Sequence, residues 1–196
     1  MSTTVYGCNI LFMVSHTKIE FEKKLLELRV SYSLKNGDLY SITSKTDYGK
    51  HLAVRLISSL TVNNQVHGSK NGNDVQVIGL FKFKFSSSCQ EPDIFVFSFQ
   101  NTVTNQPELI IITNNVFLRR LGKSNIKPIT YKKVEIVFWF MQDGFIYETT
   151  NISPEGEWYL ISKGTGGRMV GGTAKDYTPF LNNWDQLHAF SKINRF

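Results

Sequence analysis

Six basic side chains, Arg119, Arg120, Lys123, Lys127, Lys132 and Lys133, lie between Phe117 and Lys133, with Tyr131 among them and no acidic residue. Such a tract suits phosphate oxygens, each contact adding salt-dependent affinity; its bland counterpart is a solvated basic face. In "FKFKF" (81–85) Lys82 and Lys84 alternate with phenylalanines, which a strand sends to opposite faces, one for the core and one for solvent or a polyanion. The stretch "SKGTGGRMVGG" (162–172) has the glycines of a phosphate loop but lacks the GK[ST] ending, so it reads as a surface loop on which Arg168 could touch nucleic acid. His16, His51, His67 and His188 show no paired metal spacing, and Cys8 and Cys89 fit neither a zinc motif nor a disulfide framework.

The whole chain shares the basic bias. Its 196 residues carry 22 Lys and Arg against 16 Asp and Glu, a formal charge of +6, which favours an anionic partner such as nucleic acid. With 41% hydrophobic residues, this length suits one domain over 1–196 with a single sizeable core. Sparse cysteine fits a reducing, cytoplasmic setting. The apolar run Val5 to Val14 is too short to span a membrane and lacks the basic flank of a secretory signal.

Periodicity supplies the elements that would position these groups. Apolar residues from Ile19 to Leu34 recur at mainly helical spacing, and Asn36-Gly37 supplies a stop. β-favouring stretches follow at Leu39 to Thr43, His51 to Ile57 and Val75 to Phe85. "DIFVFSF" (93–99) and "ELIIIT" (108–113) read as neighbouring central strands of a buried sheet. A short helix in "VFLRRLG", apolar runs at Val134 to Met141 and Glu157 to Ser162, and a helix around Tyr177 to Phe190 complete the chain. The expected class is α/β (α+β): a mixed central sheet of about five strands flanked by helices.

This order, together with "EPDIFVFSFQN", "PELIIIT" and the closing "NNWD" of "FLNNWDQL", resembles the PD-(D/E)xK, or restriction-endonuclease-like, nuclease superfamily. The likeness spans about 19 to 120. The resemblance places Glu27 of "LELRV" at the helix glutamate, His51 of "GKHLAV" at the metal-binding aspartate, and Gln76 of "VQVIG" at the acid of the (E/Q)-x-K strand, with Ile78 where lysine belongs. It implies that Glu27, His51 and Gln76 converge on one site. The chemistry of that class needs carboxylates around a divalent ion to polarise the phosphate and generate hydroxide. Neutral histidine is a poor Mg²⁺ ligand, and isoleucine can neither carry charge nor donate a hydrogen bond.

The resemblance therefore implies a degenerate site that binds DNA without cofactor, with a homodimer among the assemblies expected. Two departures would restore chemistry. One sets "LAVRLISS" on the motif strand, with Asp47 as the acid and Arg55 at the lysine position. The other rebuilds the site from Asp74, Lys82 and Lys84 of "NDVQVIGLFKFK", giving a Mg²⁺-dependent endonuclease. A third reading keeps the fold only as a noncatalytic interaction scaffold.

Overall fold

A computed structural model describes residues 17–44, 49–59, 76–84, 91–101, 106–120, 133–140, 146–148 and 175–191. The apolar runs Val5 to Val14 and Glu157 to Ser162 lie outside them.

Helix α1 covers 17–27 and buries Thr17, Phe21 and Leu25, a one-sided stripe at i, i+4 spacing. It stops well before Leu34. Arg29 adopts a left-handed backbone (φ 55°), its N–H bonds to the Leu26 carbonyl, and the Val30 N–H reaches back to Leu25. This is a Schellman closure with arginine in glycine's usual place, sealed by the buried Leu25 and Val30. The chain after it, with aromatic Tyr32 next to alternating Ser33 and Leu34, forms a strand in place of the expected helical turns. Asn36-Gly37 is accordingly part of a hairpin turn and not a helix stop.

That hairpin joins β1 (Tyr32–Asn36) to β2 (Leu39–Thr43), and β3 (His51–Ser58) completes an antiparallel meander. The next strand, β4 (Gln76–Lys84), leaves this sheet, and β5 (Ile94–Asn101) returns to lie parallel to β3. Strand β6 (Gln106–Thr113) pairs antiparallel with β5, giving the order β1-β2-β3-β5-β6. The five-strand mixed sheet flanked by helices is thus present. "DIFVFSF" and "ELIIIT" are indeed neighbours, with β6 at the sheet's edge.

A second sheet was not anticipated. β4 pairs with β7 (Lys133–Phe140), then come β8 (Ile146–Glu148) and β9 (Lys175–Asp176). Helix α2 (Asn114–Arg120) follows β6 directly, and α3 (Asp185–Ser191) follows a 3-10 turn at Thr178–Phe180. The closing helix begins later than Tyr177 because Pro179 and the left-handed Asn182 (φ 49°) break the intervening chain.

The first sheet is covered on both faces, which is why its central strands are apolar without alternation. Val54, Leu56, Ile94, Val96, Leu109 and Ile111 meet α1 and α3 through Phe21, Leu25 and Leu187. The odd-numbered residues of β5, Phe95, Phe97 and Phe99, meet Phe117 of α2 and Phe81, Ile136 and Phe138 of the second sheet. Ser58 and Ser98, facing each other across β3 and β5, are linked by a 3.3 Å hydroxyl contact that extends to Thr17.

Two buried tyrosines make this core sensitive to alkali. Burial, then the hydrogen bond to Glu22, raises the Tyr40 phenol; burial, then the Glu148 charge, raises Tyr177 against the opposing pull of Arg120. Both folded values exceed the ordinary one, so their contribution is complete below about pH 10 and is lost as pH rises and the unfolded chain ionises. The urea midpoint should fall above about pH 10. The Tyr177→Phe variant should flatten that fall without lowering stability at neutral pH, since no described group bonds to the Tyr177 hydroxyl.

Candidate functional site

The meander brings together a polar patch on the same sheet face as the phenylalanine core. Register places Ser33, Ser41 and Ala53 in one row, Leu39, Arg55 and Phe95 in a second, and Thr43 with His51 in a third. His51 is exposed, and its Nδ1 lies 3.3 Å from the hydroxyl of buried Ser41. The Arg55 Nε donates to Asp38 Oδ2 at 3.0 Å, with the two side chains 27% and 50% exposed. At that exposure the ion pair contributes no more than about 1 kcal/mol. Asp93, at the entry to β5, accepts the Ala53 N–H at 2.7 Å, while its own N–H donates to the Ala53 carbonyl. The "PD" acid thus fastens β5 to β3.

Ser41, His51, Asp38, Arg55 and Asp93 each have a protein partner, and the chemistry on offer is limited. Asp38 faces a permanent cation, and Ala53, two residues before Arg55, supplies no oxygen from its side chain. Among the described residues no group of three or more His, Cys, Asp or Glu converges as a metal cage would require.

The residues singled out from sequence separate onto different elements. Glu27 closes α1, which covers the opposite face of the sheet from His51. It takes a 2.9 Å hydrogen bond from Lys24, and that bond and charge hold its carboxyl below the usual range. Gln76 begins β4 in the second sheet, opposite Phe140. The expected convergence of Glu27, His51 and Gln76 is therefore not found: α1 and β3 present them on opposite faces, and β4 belongs to another sheet. Lys82 sits opposite Glu135, and Lys84 opposite Lys133. Arg119 is exposed. Arg120 donates to the Asp176 carbonyl at 2.7 Å and lies over the rings of Tyr177 and Phe180 at 4.9 and 4.8 Å, so the fold itself engages it. Asp47, Asp74, Lys123, Lys127, Lys132 and Arg168 lie outside the described residues.

"NNWD" serves as a staple. Asn182 takes the Leu109 N–H on its side chain at 3.0 Å and donates its own N–H to the Leu109 carbonyl, closing part of the β6 edge. Trp184 stacks on Phe21 of α1, with ring centres 5.9 Å apart. An Asn182→Ala variant loses a part-buried hydrogen bond and strains a left-handed backbone, about 2 kcal/mol together. Asn182→Gly loses only the bond and should stay about 1 kcal/mol more stable in urea unfolding.

Taking Asn36-Gly37 as the end of a helix leaves Asp38 without a role in the sequence. The hairpin reading of the same dipeptide would have brought the following Asp-Leu to the start of a strand.

Fold and site together define a mixed α/β protein whose meander patch pairs Asp38 with Arg55 and His51 with Ser41. Comparison with protein-family models, with curated proteins and with solved structures finds no match to this chain.

Proposed function

We propose that this chain binds nucleic acid, DNA in the first instance, and does not cleave it. The observation that carries the reading is the Asp38–Arg55 pair. In the hairpin turn before β2 and on β3 an acid and a cation meet, but they neutralise each other. This arrangement supports the register with "LAVRLISS" on the third strand, and offers Asp38 in place of Asp47 as its acid. Arginine stays charged and cannot accept a proton, and Ala53 cannot hold a metal ion, so the patch lacks the means to activate water.

The binding half of the reading rests on charge. A chain of net charge +6 with an acid-free tract at 117–133 is suited to a phosphate backbone. Fluorescence anisotropy with a short labelled DNA duplex in EDTA tests it. Affinity should fall steeply between about 50 and about 200 mM salt, as counterion release demands. Absence of binding at the lower salt would overturn the proposal and favour a scaffold.

A further inference from the structure

Strand β1 is the outer strand of the first sheet, and Ser33 to Asn36 of its five residues are exposed. The Thr43 N–H donates to the Ser31 carbonyl at 3.0 Å, and the register continues with Ser33 opposite Ser41. Backbone groups alternate in direction along a strand, so Ser31 and Ser33 turn theirs toward β2 while Tyr32 and Leu34 turn theirs outward. Among the described residues no strand lies beyond them. The side chains of the same two residues share the α1 side of the sheet, Tyr32 opposite Ile42 and Leu34 opposite Tyr40. On that side a recess of about 580 Å³ is lined by Leu26, Arg29, Val30, Ser31 and Tyr32. Leu26 is 64% exposed and Leu34 44%, so the open backbone edge adjoins an apolar surface, the combination on which strand addition works.

We infer that this edge pairs with a second copy of the chain, the two β1 strands running antiparallel about a two-fold axis at Ser33. Outward-turned residues must be the ones that exchange hydrogen bonds, so Tyr32 meets the partner's Leu34 and Leu34 meets the partner's Tyr32. Each exposed Leu34 is thereby brought to the recess that the other copy's Tyr32 and Leu26 line. One patch complements itself, as an isologous contact requires. The rows that meet, Tyr32, Ser33 and Leu34, carry no charge to repel its own image, and Lys35 falls opposite the partner's Ser31. The irregularity between Leu34 and Asn36 ends the ladder there, so the contact is short and the dimer weak. Two five-strand sheets become one continuous sheet, whether or not the chain binds nucleic acid.

Sedimentation of the full chain without nucleic acid, from about 5 to about 500 µM, tests the pairing and should show a dimer fraction that rises with concentration. Leu34→Lys places a charge in each recess and should weaken association about 10-fold or more, while leaving the thermal midpoint of the dilute chain nearly unchanged because Leu34 is an exposed residue. Cross-linking reads the register. With Cys8 and Cys89 replaced by serine, Ser33→Cys should form a disulfide-linked dimer on mild oxidation, since the two Ser33 residues face each other at the axis, and Lys35→Cys should not. A chain that stays monomeric throughout would overturn the inference and leave the edge to a strand from a different protein. Undiminished association in Leu34→Lys, or cross-linking through Lys35→Cys in place of Ser33→Cys, would overturn this surface or this register.

Discussion

Phe97→Ala should unfold at a far lower urea concentration than the unsubstituted protein, with a loss of about 4 kcal/mol and an unchanged dependence on denaturant. Phe97 is fully buried on β5, and its ring lies 5.2 Å from Phe81 of β4, 5.7 Å from Phe138 of β7 and 5.3 Å from Phe117 of α2. It therefore joins the first sheet to both elements that cover that face. Truncation loses the transfer energy of the ring and leaves a cavity walled by three other rings, which cannot all collapse into it. Against a typical total of about 5–15 kcal/mol the loss is a large share. Phe97→Leu refills most of the volume and should cost about 1–2 kcal/mol. Equal losses for the two variants would mean that the sheets do not meet through this ring.

Arg120→Ala should cost about 3 kcal/mol in the same measurement. Its guanidinium donates to the Asp176 carbonyl and lies over two aromatic rings, so α2, β9 and the 3-10 turn are held through one side chain. A charged hydrogen bond contributes about 1.5–3 kcal/mol and each partly desolvated cation–π contact about 0.5–1 kcal/mol. Lysine keeps the charge but not the planar, ring-stacking fork, so Arg120→Lys should recover only part. The exposed neighbour Arg119 provides the contrast: Arg119→Ala should change stability by less than about 0.5 kcal/mol. Thus two adjacent arginines of one basic tract should separate, Arg120 by its effect on folding and Arg119 by its freedom from one.

The adjacent arginines also indicate where sequence reasoning reaches and where it stops. "IFVFSF" and "IIIT" lack alternation because both faces of their sheet are covered, and that alone marked them as buried neighbours. The runs at 75–85 and 134–141 showed the same β character, yet composition gives a strand's period and not its partner, so their departure into a second sheet was not legible. Helix α1 was legible in its stripe but not in its end, because Arg29 takes a left-handed conformation that usually announces itself as glycine. Misreading that end hid the β1–β2 hairpin, and with it Asp38. The tail string "NNWD" carries a family resemblance in the sequence, whereas its asparagine and tryptophan secure β6 and α1 by hydrogen bonding and stacking. Arg55 could be weighed from sequence at a lysine-like position; that Asp38 would occupy it as an ion-pair partner needed the register of β2 on β3.

The measurement that bears most directly on the account is a plasmid-nicking reaction and a gel shift on one purified sample, in EDTA, Mg²⁺ or Mn²⁺. The account predicts a salt-sensitive shift in all three conditions and no nicking in any, because Asp38 is paired with Arg55 and Ala53 offers no metal ligand. Metal-dependent nicking abolished by Asp74→Ala or Lys82→Ala would contradict it and assign the chemistry to β4 and the residues just before it.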